Sequence, residues 1–174
     1  LAAPPGGGTA AATAVLTTDH HPKQTHVAAS GFSVGGFAKG SGMIAPAMAT
    51  MLVVLTTDAV ADTATCDAAL RAAVGVTFDR LDVDGGTSTN DTVLLLASGA
   101  SGGTPAAAEL TAAVQAACTD LCLQLQADAE GVTKHVTIAV TGARTEADAL
   151  AVARTVAQDN LCKTAFFAAD PNWG

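Results

Sequence analysis

The run Met51 to Leu55, MLVVL, constrains this chain most. Five consecutive apolar residues fit neither the two-residue period of a half-exposed strand nor the stripe of an amphipathic helix. A strand apolar on both faces has to be covered on both, so the run, read from Thr50 to Leu55, demands layers above and below it. A second run, Thr92 to Ala97, repeats the demand. Around them lie stretches with helical spacing. Thr63 to Val74 carries Cys66, Leu70 and Ala73, with Gly75 as a stop. A longer stretch, opened by a Thr104 cap and Pro105 and reaching about Ala129, carries Leu110, Val114, Ala117 and Leu121 on one stripe. Strands alternating with long helices predict an α/β (α+β) layered sandwich.

Weaker signals fill the rest. His26 to Phe37 reads as short strand pieces broken by glycines, and His135 to Thr141 (HVTIAVT) alternates as a half-buried strand. Asp84 to Asp91 is a loop. Thr145 caps a helix predicted to reach about Gln158, and Lys163 to Phe167 is a final short strand. The opening, LAAPPGGGTAAA, reads as a flexible loop or frayed end, and the close, FFAADPNWG, is equally abrupt. Both ends are expected to continue into a longer protein.

Composition narrows the function. With 49% hydrophobic and 14% charged residues the chain folds, and with 3% aromatics its core is built from Ala, Val and Leu. Eight Lys and Arg, scattered, against a net charge of −8 leave no basic patch, so neither nucleic acid nor an anionic membrane surface is an expected partner. Met43 to Leu55, interrupted by Pro46 and Thr50, is too short to span a bilayer. The first residues have no basic start or continuous apolar stretch, so no signal peptide is expected. None of the cysteines 66, 118, 122 and 162 forms a CxxC pair; structural thiols in a cytoplasmic protein are expected.

Chemistry is sparse. His20, His21, His26 and His135 show no metal-ligand spacing, so no metal and no bound cofactor are expected. GGFAKGSG is not a phosphate loop, and no GxSxG is present. Thr50 stands out by position. It sits between the small-residue loop of Ala45 to Ala49 and the apolar run. A strand-end threonine is the ordinary reading. The chemical one needs a base beside the hydroxyl, and an α-amine on Thr50 itself would serve if the chain were cut before it. The hydroxyl would attack the Ala49 carbonyl, the peptide would shift to an ester, and water would free the amine.

Five segments carry a resemblance that bears on this choice: LTTDHHPK (Leu16 to Lys23), GFAKGSGMIAPAMATML (Gly36 to Leu52), DVDGGTSTNDT (Asp82 to Thr92), DAEGVTK (Asp128 to Lys134) and LCKTAFFAADPNWG (Leu161 to Gly174). In this order, over nearly all 174 residues, they resemble the ornithine acetyltransferase family, the bifunctional glutamate N-acetyltransferases of arginine biosynthesis. The resemblance implies a fold shared with self-processing aminopeptidases and superficially like N-terminal-nucleophile hydrolases. It implies self-cleavage between Ala49 and Thr50. Residues 1–49 would then close an upstream α chain and 50–174 open a downstream β chain, assembled as two of each. Thr50 would be the nucleophile that moves acetyl from N-acetylornithine to glutamate, with acetyl-CoA left open as a further donor. Lys39, Thr50, Glu130 and one of Thr17 or Thr18 align with substrate-contacting positions. An α-carboxylate suits Lys39, and the ornithine ammonium suits Glu130.

Three positions depart from the family pattern: Ala47 where Asn or Asp is usual, Gly86 for Asp, and His20 for Thr. Members are well over twice as long, and their oxyanion-hole Thr-Gly pair would lie before Leu1. Loss of such donors slows acyl transfer by about 10²–10³, so this segment by itself is expected to be inactive or a structural module. A related self-processing amidohydrolase or aminopeptidase, with water replacing glutamate, is the competing activity. The DGGTSTNDT loop is expected to be structural, held by side-chain-to-backbone bonds.

Overall fold

The computed structural model describes residues 6–42, 44, 51–86 and 89–171. Four strands form one sheet in the order β1 (Lys23–Ala29), β2 (Phe32–Lys39), β3 (Leu52–Thr57) and β4 (Thr92–Ala97). The first three are antiparallel neighbours, and β4 joins β3 in parallel. A two-residue turn closes the β1–β2 hairpin, with Ala29 opposite Phe32 and Gly31 at a φ of 82°, a conformation glycine adopts without penalty. At Gly36 a Cβ would sit 2.5 Å from the Val54 carbonyl oxygen, so only glycine lets β2 and β3 approach this closely.

The parallel β3–β4 pair needs a crossover, and α2 (Thr63–Val76) supplies it. Asp62 caps α2 by accepting from the Thr65 amide at 2.7 Å. The long α3 (Ala107–Ala127) packs beside α2 against β1 and β2. Alanines at 69, 73, 113 and 117 are buried on the two helices and allow close approach. The core between helices and sheet is Val34, Val53, Leu55, Leu110, Val114 and Leu121 with their neighbours, nearly all aliphatic. This is the layered α/β class expected. Helices α1 (Gly7–Ala14), α4 (Glu146–Gln158) and α5 (Asn160–Ala168) complete the order. No helix of the described residues is long and apolar enough to cross a membrane.

Several sequence expectations are corrected. The runs at β3 and β4 are not buried on both faces: Val53, Leu55 and Thr57 point into the core, while Leu52, Leu94 and Leu96 are 38%, 46% and 56% exposed. The start of the chain is helical from Gly7, although glycine-rich. Gly75 lies inside α2, which ends one residue later, where the Thr77 hydroxyl donates to the Ala73 carbonyl at 2.7 Å. Thr104 does not cap α3; the helix begins at Ala107, and the Glu109 carboxylate accepts from the Ala106 amide at 3.0 Å. His135 to Thr141 forms no strand, because neither sheet edge pairs with it. Lys163 to Phe167 is helical: Asp159 accepts from the Cys162 amide at 2.8 Å and starts α5. The Thr145 cap and the end of α4 at Gln158 are as predicted, with Thr145 Oγ1 accepting from Asp148.

Candidate functional site

The Gln124 side chain fixes where α3 meets the sheet. Its amide nitrogen donates to the Gln24 carbonyl at 2.9 Å and its oxygen accepts from the Gln24 amide at 3.1 Å, continuing the ladder at the free edge of β1. This brings Asp128, one residue past the end of α3, against Lys23, the first residue of β1.

Lys23 is only 1% exposed. Its ammonium donates to Asp19 Oδ1 at 2.7 Å, Asp128 Oδ2 at 2.6 Å and the His21 carbonyl at 3.4 Å, which uses all three of its hydrogens. A buried ammonium without such partners would be strongly unfavourable. Asp19 Oδ1 also accepts from the Gly40 amide at 2.7 Å, and Asp19 Oδ2 from the Thr17 amide at 3.4 Å. Asp128 Oδ2 also accepts from the amides of His20 at 3.0 Å and His21 at 3.4 Å, and His20 Nδ1 lies 3.2 Å from Asp128 Oδ1. Burial pushes both carboxyls toward the neutral acid. The Lys23 ammonium and the backbone amides outweigh it, so both are held below the ordinary carboxylate range.

Lys39 ends β2 and is 7% exposed. Its ammonium donates to Thr17 Oγ1 at 2.6 Å. Thr18, the other threonine considered, is exposed, and Thr17 is the one that meets Lys39. Beyond Gly40, the Ser41 hydroxyl donates to the Asp128 carbonyl at 3.1 Å, and the Ser41 carbonyl accepts from the Glu130 amide at 2.6 Å. A Cβ on Gly42 would sit 2.9 Å from Glu130 Oε2, so the carboxylate lies directly over this glycine. Glu130 is exposed and borders a cavity of about 370 Å³ shared with Lys134, Lys163 and Phe166.

Ala49 and Thr50 lie outside the described residues. Their flanks are anchored. Ile44 is buried and its carbonyl accepts from the Val83 amide at 2.6 Å. The Met51 amide donates to Asp91 Oδ1 at 2.8 Å, and the Met51 carbonyl accepts from the Thr92 amide at 3.0 Å. Asp91 belongs to the loop read as structural. The same loop places Asp82 on the Gly85 amide at 3.2 Å and Asp84 on the Gly86 amide at 3.1 Å.

Thr17, Lys39 and Glu130 thus come from three separate segments whose backbones are tied to the buried Asp19–Lys23–Asp128 cluster; of their side chains Lys39 is buried, while those of Thr17 and Glu130 are exposed. Sequence reading gave Asp19, Lys23, Asp91 and Asp128 no role. Each lies in one of the five segments that resemble the family. Among the described residues no group of His, Cys, Asp and Glu is placed to hold a metal.

The sequence profile of the ArgJ family matches residues 2–174. "Arginine biosynthesis bifunctional protein ArgJ" of Mycolicibacterium paratuberculosis is 64% identical over 159 residues, which are 91% of this chain and 39% of that protein. The protein of the same name from Thermobifida fusca is 56% identical over 158 residues, 91% of this chain and 41% of the relative. The crystal structure of arginine biosynthesis bifunctional protein argJ from Bacillus halodurans superposes with a TM-score of 0.62 at 41% identity, covering 71% of this chain and 60% of that one. The chain spans about two fifths of the length of these curated relatives.

Proposed function

Because this chain belongs to the ArgJ family, we propose that it forms the central part of an acetyltransferase of arginine biosynthesis, which moves acetyl from N-acetylornithine to glutamate. The observation that carries this reading is that the segments of Thr17, Lys39 and Glu130 are tied by their backbones to one buried cluster. A cation and an anion so placed suit an amino acid that carries both charges. The Lys39 ammonium takes an α-carboxylate through a charge-assisted bond, and Glu130 takes the side-chain ammonium of ornithine.

The reaction starts with a cut between Ala49 and Thr50. Thr50 then opens the downstream chain. Its free α-amine accepts the hydroxyl proton, and the oxygen attacks the acetyl carbonyl of N-acetylornithine. The amide C–N bond breaks, ornithine leaves with the proton on its amine, and acetyl-Thr50 remains as an ester. The glutamate amine attacks that ester, N-acetylglutamate departs, and the Thr50 hydroxyl recovers its proton. The order is ping-pong. In this reading the upstream and downstream chains assemble as two of each, and the enzyme works in the cytoplasm.

N-terminal sequencing and intact mass test it. A full-length enzyme carrying this segment yields a chain beginning Thr-Met-Leu-Val and transfers acetyl to glutamate. Thr50→Ala accumulates uncut precursor without transfer. Thr50→Ser keeps some cleavage with slower transfer, because the lost methyl no longer restricts the rotamer. An active enzyme with an uncut chain, or an active Thr50→Ala variant, overturns the proposal. Release of free acetate without N-acetylglutamate would favour the hydrolase alternative.

A further inference from the structure

We infer that Lys23, acting through Asp19 and Asp128, is the positioning residue of the substrate site, holding Thr17, Lys39 and Glu130 in mutual register. The inference rests on the substrate roles proposed for those three residues. The same ammonium that joins the two carboxylates is the junction of three chain segments. On one arm, Asp19 holds the amide of Thr17 and the amide of Gly40, the residue after Lys39. On the other, Asp128 holds the amides of His20 and His21, while its own carbonyl accepts from Ser41, whose carbonyl in turn holds the amide of Glu130. Lys39 also meets Thr17 directly, and the main chain from Lys39 to Ser41 reaches Glu130 through the Glu130 amide; the ring fixes how these links sit against one another.

Such a ring is an expensive way to gain stability. Desolvating one ammonium and two carboxylates is strongly unfavourable, and apolar replacements of buried ion pairs are often neutral or stabilising. What charges provide that leucines do not is direction: each oxygen fixes a named backbone amide. The asymmetry at Asp128 sharpens the point. Its Oδ2 takes Lys23, His20 N and His21 N, whereas among the described residues Oδ1 meets only His20 Nδ1. An asparagine can reproduce that pattern with its carbonyl toward Lys23 and its amide toward the imidazole. At Asp19 it cannot, because an Asn amide nitrogen would face the Thr17 amide, donor against donor.

The test uses a full-length enzyme made by exchanging this segment into the Mycobacterium tuberculosis relative, 62% identical over the matched 159 residues. Steady-state kinetics with N-acetylornithine and glutamate are measured beside the thermal midpoint. Asp128→Ala raises KM for N-acetylornithine about 10-fold or more with kcat within about threefold, since misplacement of binding groups acts on substrate capture. Asp128→Asn returns KM to within about threefold of the parent. Where Asp128→Ala fails to fold, Asp19→Asn takes its place and gives the same KM rise at a nearly unchanged midpoint. KM unmoved in the folded variants, or a change in rate that only follows the loss of folded protein, overturns the inference. A parent enzyme without acetyl transfer overturns the proposed function and this inference with it, whereas an active parent with unmoved variants overturns the inference alone.

Discussion

The ammonium of Lys39 donates to the hydroxyl of Thr17 across 2.6 Å, tying the last residue of β2 to the loop that enters β1. Lys39 is buried while Thr17 is exposed, so the bond joins a shielded cation to a hydroxyl at the surface. In low dielectric such a cation attracts a carboxylate more strongly than it would in bulk water.

Removing the cation therefore harms substrate binding more than stability. A hydrogen bond to a charged group contributes about 1.5–3 kcal/mol, so Lys39→Met lowers kcat/KM for N-acetylornithine by about 10- to 100-fold. Thr17→Val leaves the charge and unseats it, with a smaller loss. The double variant is no worse than Lys39→Met, because both changes act on one contact. Additive losses in this cycle would separate the two residues.

Glu130→Gln distinguishes the two substrates. Glutamine keeps the shape over Gly42 and drops the charge. KM for N-acetylornithine rises about 10-fold, the value of one charged hydrogen bond at an exposed site. KM for glutamate, which lacks the side-chain ammonium, stays within twofold, and the fraction of chain cut at Ala49–Thr50 is unchanged. Equal effects on both substrates would place the ornithine ammonium elsewhere.

The buried cluster sets an acid limit on stability. Asp19 and Asp128 are held below the ordinary carboxyl value of 3.8 in the folded protein. A carboxyl with a lowered folded value binds more protons when unfolded, so its stabilisation is full above the unfolded value and is lost as pH falls from there through the folded value. Urea midpoints thus stay level from pH 7 toward pH 5 and fall below about pH 4, where unfolded carboxyls begin to take up protons. Asp128→Asn flattens that fall. A midpoint as steep in the variant as in the parent would remove Asp128 from the acid transition.

What the sequence disclosed follows from how local each signal is. The α3 stripe of Leu110, Val114, Ala117 and Leu121 is buried as its spacing required, and the Thr145 cap sits where read, because a helix closes its bonds within itself. A strand needs a partner that its own residues do not name. HVTIAVT has the alternation and no partner, so it stays unpaired. The segment around Lys163 is a helix because Asp159, four residues before it, accepts from the Cys162 amide and starts one there. Lys39 and Glu130 are singled out by the resemblance alone. Lys23 was not singled out, since nothing in sequence marks a lysine whose partners lie 4 and 105 residues away.

The β2–β3 ladder, paired from Val34 with Thr57 to Lys39 with Leu52, spans the two sides of the Ala49–Thr50 bond. A cut there would turn an internal pair of strands into a seam between two polypeptides without removing one hydrogen bond of the ladder. Ile44 stays tied to Val83 and Met51 to Asp91 on either side. The halves would then travel as one species through a sizing column and part only in denaturant. Neither half could be made alone and remain soluble, since each carries strands whose core-facing side chains are completed by the other.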